Sequence, residues 1–347
     1  MPRHARCLLA ALPLVLLLIS SATGPAAATF PGPNGRIVFM RHDDAGVFQI
    51  WTANPDMSHA VQLTHGPDWD GWMPSWSPDG RRIAFSSHHA DPDPTDDVEV
   101  MDVYTMNADG SDVRKLTDSR GFNGIPSWSP DGRWLVYEAD RGDYPGSMGI
   151  YRLRSDGTGQ PRRITRLPEG STWQELPRYS PDGERIVFDE SRLFPGPNPG
   201  DQVELVALFT VSPDGRDQRR ITPWAINAQD ADWSPDGRRL VFAARLDANQ
   251  SVQSVMASDA DGGHLRALTH GDGIVPDGGD IDYQESFNPA WSPDGRFIIF
   301  ARASYTPADG FAIGLMTMRP DGSHQVWASN PPQEGHQPDW GSAGLIR

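Results

Sequence analysis

The chain is nearly devoid of cysteine: Cys7 is the single one in 347 residues. With no thiol in the rest of the sequence, a cysteine nucleophile, a disulfide framework and a thiolate metal site are excluded there. Basic residues are also in the minority, since 30 Lys and Arg face 46 Asp and Glu for a formal net charge of −16. Such a charge repels nucleic acid and anionic lipid and favours cations, basic peptides or neutral ligands.

Long apolar runs are scarce too, and the one that occurs extends from Cys7 to Ile19. Two arginines precede it and Ala26-Ala27-Ala28 follows it, a layout typical of a secretory signal peptide. We predict that residues 1–28 are a cleaved signal and that residues 29–347 act outside the cytoplasm, in the periplasm or cell wall. A membrane anchor is the alternative, but the run is shorter than the roughly 20 residues that cross a bilayer.

Turn-forming residues, in contrast, are plentiful, with 35 glycines and 32 prolines, and one phrase recurs about every 50 residues. The phrase is Trp-Ser-Pro-Asp-Gly or a near copy of it. Self-similarity at this period predicts a repeat architecture. The copies are Trp76–Gly80, Trp128–Gly132, Tyr179–Gly183, Trp233–Gly237 and Trp291–Gly295.

A single repeat predicts four short antiparallel strands. Ser77-Pro78-Asp79-Gly80 forms a tight turn, because proline presets φ, aspartate bonds back to the backbone and glycine adopts positive φ. The second strand, Ile83-Ala84-Phe85, is apolar without alternation, which predicts burial on both faces. Val103–Met106 and Arg114–Thr117 are the predicted third and fourth strands.

Six copies of strands two to four predict an all-β fold, a six-bladed β-propeller of four-stranded antiparallel blades. The pattern begins at a second strand near Arg36 and ends on a first strand, Gln337–Trp340. We therefore expect the N- and C-terminal strands to pair within one blade and close the ring, which removes free strand edges.

These repeats resemble those of the TolB-type, WD40-like (PD40) propeller family, whose phrase is followed by a short apolar strand and a Leu-Thr ending such as Leu116-Thr117. The resemblance covers about Pro31 to Gly341 and implies a six-bladed propeller that binds other proteins or acts as a platform. Related peptidases carry a hydrolase domain with a Gly-x-Ser-x-Gly motif, which this sequence lacks. Serine-peptidase activity is therefore not expected.

The connections that lead into the first strands are rich in aromatic and acidic residues, and their last residues should approach the central channel. Such side chains offer stacking area and charge to a protein, peptide or sugar. The alternative is that the aromatics pack between blades and cap the core. The candidate binding residues are Asp68, Trp69, Asp70, Trp72, Trp173, Glu175, Trp224, Asn227, Asp230, Tyr283, Glu285 and His336.

We favour a secreted, monomeric and non-catalytic platform that binds a protein, a peptide or a component of the cell envelope, without a required cofactor. A polysaccharide hydrolase or lyase is the first alternative, with acid and base drawn from Glu175, Asp230, Glu285 and His336.

A calcium-stabilised scaffold is the second alternative. It rests on Asp277, Asp280 and Asp282, which lie on a glycine-rich stretch and supply the oxygen ligands that calcium prefers.

Overall fold

The protein is a ring of six four-stranded antiparallel sheets in a computed structural model, which confirms the predicted fold class. No helix among the described residues is long and apolar enough to cross a membrane. The structure describes residues 30–66, 69–89, 100–118, 121–140, 148–198, 200–245, 252–270, 283–306, 310–329 and 334–343.

Each blade runs from a first strand beside the channel to a fourth strand at the rim. Blade 1 is β24 (His336–Ser342), β1 (Asn34–His42), β2 (Phe48–Ala53) and β3 (Val61–Gln62). Blade 2 is β4 (Trp72–Trp76), β5 (Arg82–Ser87), β6 (Asp102–Asn107) and β7 (Arg114–Lys115), and blade 3 is β8 (Asn123–Trp128), β9 (Trp134–Ala139), β10 (Gly149–Arg154) and β11 (Arg162–Arg163).

The other three blades repeat this order, and a single 3-10 turn, η1 (Trp224–Ile226), follows blade 4. Blade 4 is β12 (Ser171–Tyr179), β13 (Ile186–Pro195), β14 (Gln202–Val211) and β15 (Arg219–Arg220). Blade 5 is β16 (Gln229–Trp233), β17 (Arg239–Ala244), β18 (Ser254–Asp259) and β19 (Arg266–Ala267), and blade 6 is β20 (Tyr283–Trp291), β21 (Ile298–Thr306), β22 (Gly310–Met318) and β23 (Val326–Trp327).

The predicted closure of the ring is confirmed. Strand β24 pairs antiparallel with β1, where Ile37 lies opposite Trp340 and Val38 opposite Asp339. Blade 1 thus takes its first strand from the C-terminal end of the repeat pattern and the other three from the N-terminal end.

The repeated turn has the same internal hydrogen bonds in every copy. In blade 2, the Ser77 hydroxyl donates to Asp79 at 2.7 Å and accepts the Arg82 N–H, while Asp79 accepts the Arg81 N–H. The glycine at the end of each of the five turns has φ between 65° and 73°, a region that other residues enter at a cost. These turns lie on the same side of the ring as the turns between third and fourth strands, and we call this side the turn face.

The core is divided among the blade interfaces, and each interface contains one aromatic of the repeated phrase. Trp128 of blade 3, for example, packs on Ala84 and Val103 of blade 2, and its indole N–H donates to the Ser75 carbonyl at 3.2 Å. The second strands are buried on both faces as predicted, and Phe85 is fully buried. The aromatics at the six interfaces are Trp76, Trp128, Tyr179, Trp233, Trp291 and Trp340.

The fourth strands are shorter than the sequence predicts. Only the two residues before each Leu-Thr pair belong to the strand, because the threonine turns its side chain onto the neighbouring strand. In blade 4 the Ile221 N–H donates to the Leu208 carbonyl, and the Thr222 hydroxyl accepts the Leu208 N–H at 2.8 Å. The hydroxyl thus replaces a backbone carbonyl in the ladder.

The first strands are longer than predicted, which corrects the assignment of several candidate residues to loops. Trp72 lies in β4, Trp173 and Glu175 lie in β12, and Tyr283 and Glu285 lie in β20. These strands extend further because a bulge interrupts the pairing without ending it, as between Glu175 and Arg178.

Replacement of Thr222 by valine tests the role of the Leu-Thr ending. Valine keeps the shape of the side chain but leaves the buried Leu208 N–H without its acceptor, so we expect a loss of about 1–3 kcal/mol in the free energy of unfolding. Thr158→Val is the matched control on an exposed turn and should change stability by less than about 0.5 kcal/mol. Equal losses in urea denaturation of the two variants would contradict this role.

Candidate functional site

All six first strands carry a bulge at the same position, three residues before the aromatic of the repeated phrase. The residue there has φ between 48° and 60°, a left-handed backbone that non-glycine residues rarely adopt. Proline follows it in five of the six strands, which a first strand tolerates because it is the edge strand of its sheet. The bulge residues are Met73, Ile125, Leu176, Asp230, Asn288 and Gln337.

The bulge frees a backbone N–H that would otherwise join the ladder, and in blades 2 to 5 the preceding blade supplies its acceptor. The Ile125 N–H donates to the Ser86 hydroxyl at 2.9 Å. In the next two blades the acceptor is a carboxylate: the Leu176 N–H donates to Glu138 at 3.0 Å and the Asp230 N–H to Asp189 at 2.9 Å. The bulges thus hold two acidic side chains inside the wall of the channel.

Four acidic side chains of blades 3, 4 and 5 meet here, and we call Glu138, Glu175, Asp189 and Asp230 the carboxyl pocket. Burial raises the pKa of Glu138 well above its usual range, and the charge of Glu175 adds to this. Burial also raises the pKa of Asp189 well above its usual range, opposed by the Asp230 N–H and increased by the other three carboxylates. Burial raises the pKa of Glu175 and of Asp230 as well.

A cationic residue, Arg178, lies on β12, the first strand of blade 4 that also carries Glu175. Burial raises the pKa of Asp230 and of Asp339, and the Arg178 charge opposes the rise in both. Asp339 belongs to blade 1, opposite blade 4 in a six-bladed ring, so the Arg178 charge acts across the channel. The Asp339 carboxylate also accepts a hydrogen bond from the backbone N–H of Trp76 at 2.6 Å and thereby links the first strands of blades 1 and 2.

A second group lies at blades 1 and 2, and we call His42, Phe48, Trp72, Glu334 and His336 the histidine–aromatic group. One oxygen of Glu334 contacts His42 Nδ1 at 2.6 Å and His336 Nε2 at 3.1 Å. The Phe48 ring stacks on His42 and meets Trp72 and His336 edge-on, with centroids 4.9 and 5.3 Å away. Burial lowers the pKa of His336, opposed by Glu334.

Asp70 extends this group into blade 2. It contacts His88 Nδ1 at 2.5 Å and accepts the Trp72 indole N–H at 2.6 Å. Burial alone would raise the pKa of Asp70, but the bonds and charge of His88 and the bond from Trp72 outweigh it and the pKa is lowered. The Trp69 ring stacks on His89 with centroids 3.5 Å apart.

Blade 4 carries the remaining aromatic candidates. Trp173 is 39% exposed on β12. Trp224 is half-buried and packs edge-on against Phe194 with centroids 5.3 Å apart. The Asn227 side chain accepts the Val206 N–H at 2.8 Å and its left-handed backbone ends η1, so this residue has a structural role.

The remaining candidates are less informative. Glu285 accepts the Gln253 N–H at 3.1 Å on blade 6. Within the described residues, no three His, Cys, Asp or Glu side chains are placed so that they could hold a metal ion. The candidates whose side chains lie outside the described part of the chain are Asp68, Tyr283, Asp277, Asp280 and Asp282.

The structure joins Glu175 and Asp230, which the sequence singled out, through two residues that it did not. Glu138 and Asp189 follow the apolar triplets of their second strands, where the other four blades have Met40, Ser86, Ala243 and Ala301. The sequence signal for these two residues was therefore an acidic residue directly after the apolar triplet of a second strand. This signal is visible only when the six repeats are aligned.

The pH dependence of stability tests the carboxyl pocket. Because folding raises the pKa of Asp189, its contribution is fully present below the ordinary aspartate value of about 4 and is lost as pH rises through the folded value. Asp189→Asn removes this dependence and can still accept the Asp230 N–H. We expect the variant to melt at a higher temperature than the parent at pH 8 and at nearly the same temperature at pH 4.

The control for this prediction is Asp214→Asn, the same substitution on an exposed turn. It should follow the parent at every pH. Parallel melting curves for Asp189→Asn and the parent between pH 4 and pH 8 would show that folding does not raise the pKa of Asp189.

Comparison with known proteins identifies related sequences over parts of the chain. Residues 95–194 match the family model described as the TolB beta propeller domain. The Tol-Pal system protein TolB of Alcanivorax borkumensis is 32% identical over 108 residues, which are 30% of this chain and 23% of that protein. The uncharacterized peptidase YuxL of Bacillus subtilis is 26% identical over 203 residues, 58% of this chain and 26% of that protein. The chain thus matches about a quarter of the length of these relatives.

Solved structures match over almost the whole ring. TolB from Acinetobacter baumannii aligns with a TM-score of 0.64 at 20% identity, covering 89% of this chain and 67% of that one. An oligogalacturonate lyase in complex with manganese aligns with a TM-score of 0.51 at 13% identity, covering 86% and 90%. At these identities the alignments establish a common fold.

Proposed function

Because this chain is a six-bladed propeller of the TolB type, we propose that it is a non-catalytic binding protein that holds a segment of another protein on one face of the ring. That face carries the connections between blades and between second and third strands, and we call it the loop face. We also propose that the protein acts outside the cytoplasm, because residues 1–28 are predicted to be a secretory signal peptide.

One observation carries the proposal: equivalent residues of the different blades vary on the loop face and are repeated on the turn face. The turn face repeats the same hydrogen-bonded turn in blade after blade. On the loop-face side of the bulge, four residues before the phrase aromatic, every blade has a different side chain. These six residues are Trp72, Gly124, Glu175, Gln229, Phe287 and His336.

A mixed ring of aromatic, amide, imidazole and carboxyl groups suits recognition of one protein segment by contact area and charge. Exposed Trp173 adds an anchor beside it. Trp69, Trp72 and Trp224 are half-buried and pack against hydrophobic clusters, so their replacement would lower stability as well as any binding. Trp173 is therefore the residue to change first.

The matched experiment compares Trp173→Ala with Phe297→Ala. Both side chains are 39% exposed, but Phe297 follows a repeated turn and lies at the opposite, turn face. Immobilised mature protein is used to capture partners from the extracytoplasmic fraction of the source cell. We expect Trp173→Ala to weaken capture by about tenfold or more, as a buried aromatic anchor does, and Phe297→Ala to leave it unchanged.

Equal capture by both variants and the parent, with unchanged melting temperatures, would contradict a loop-face partner at blade 4. Loss of capture in Phe297→Ala alone would place the partner on the turn face.

Catalysis on a polysaccharide is the second candidate, and the carboxyl pocket favours it. Glu175 and Asp230 lie in one cluster, and a carboxyl group whose pKa is raised by burial is the kind that serves as a general acid. Release of new sugar ends from a polysaccharide panel, abolished by Asp230→Asn, would support this function over the binding role.

A further inference from the structure

No cationic side chain among the described residues acts on three members of the carboxyl pocket. Burial and other carboxylates raise the pKa of Glu138, Glu175 and Asp189, and a backbone N–H is the one opposing influence on Glu138 and Asp189. The Arg178 charge acts on Asp230 instead. Within the described part of the chain, the wall of the channel at blades 3 to 5 therefore holds four acidic groups, and the cation that acts on them, Arg178, acts on Asp230.

Asp189 also has an oxygen without a partner. The side chain is 1% exposed, and its Oδ2 accepts the Asp230 N–H. Its Oδ1 is buried and has no hydrogen-bond partner among the described residues. A buried polar atom in this state is destabilising, so it is rare unless a further group completes the site.

Glu175 is the most exposed of the four acidic residues. It is half-buried on the loop-face side of the bulge in β12, whereas Glu138 and Asp189 are fully buried. Glu175 pairs directly with Asp189 across β12 and β13, so both side chains lie on the same face of blade 4. Of these two paired carboxylates, Glu175 is therefore the one that solvent reaches.

We propose that the carboxyl pocket binds a primary ammonium or guanidinium group, a lysine or arginine side chain of the segment held on the loop face. This inference rests on the proposed function and names the chemistry of its ligand. An ammonium donates three hydrogen bonds in different directions and so matches carboxylates that lie apart. A metal ion needs ligands closer together than those within the described part of the chain. The net charge of −16 attracts the same class of ligand.

Two pentapeptides blocked at both ends test the proposal: glycine-serine-lysine-serine-glycine and its counterpart with norleucine, which has nearly the same length and no charge. Calorimetric titration of the mature protein at pH 8 should give a dissociation constant for the lysine peptide at least about tenfold lower than for the norleucine peptide. In carbon-13 spectra of the aspartate and glutamate carboxyls, the lysine peptide should shift the pocket resonances towards their ionised positions.

Asp189→Asn separates this pocket from general attraction to an acidic protein. It should remove the preference for lysine over norleucine, whereas Asp214→Asn, the same substitution on an exposed turn, should keep it. Equal affinities of the parent for the two peptides, no detectable lysine binding at millimolar concentration, or an undiminished preference in Asp189→Asn would each overturn the proposal. If one of these results were obtained while Trp173→Ala still weakened partner capture, only the lysine or arginine site in the carboxyl pocket would be rejected. The proposed binding of a partner on the loop face would be retained.

Discussion

Pairing of β24 with β1 closes the ring, and the contacts between the other blades depend on it. Without this pairing blade 1 would lack its first strand, and Trp340 would leave the interface that it forms with blades 1 and 6. The closure is reinforced towards blade 2 by the Ser342 hydroxyl, which donates to the Pro78 carbonyl at 2.9 Å, and within blade 1 by the Ala343 N–H, which donates to the Pro33 carbonyl at 2.8 Å. A closed ring keeps all six blade interfaces packed. In an open row of blades, the two end blades would each leave one face uncovered.

Closure also explains the form of the channel. Six edge strands converge on one axis, and each is bent there by a bulge with a left-handed residue, even at β-branched Ile125. In blades 2 to 5 the amide freed by the bulge finds its acceptor in the preceding blade. Where that acceptor is Glu138 or Asp189, a carboxyl group is fixed in a buried site and its pKa is raised. The same geometric constraint that shapes the ring therefore produces the electrostatics of its wall.

Much of the fold was predictable from the sequence because its determinants are local and repeated. The turn Ser77–Gly80 is held by its own hydrogen bonds, and the apolar triplet Ile83–Phe85 indicates a strand that is buried on both faces. The lengths of the first and fourth strands were not predictable in this way. A bulge and a threonine side chain in the ladder depend on neighbouring strands rather than on local pattern.

The candidate site was predictable only in part, for a similar reason. Glu175 and Asp230 stand out because they precede a first strand's aromatic, but their partners Glu138 and Asp189 come from the second strands of blades 3 and 4. Only the ring brings the four together. Trp224 and Asn227 show the converse, since residues that looked available for binding are engaged in packing and in ending η1.

Native-state hydrogen exchange tests the dependence on closure most directly. If the ring opens only when the whole protein unfolds, the slowest amides of β24 and β1 should exchange with the same free energy as those of β17, a central strand of blade 5. Exchange of β24 at a clearly lower free energy, with β17 still protected, would show that the C-terminal strand detaches while the other blades hold. That result would contradict the claim that the remaining structure depends on closure.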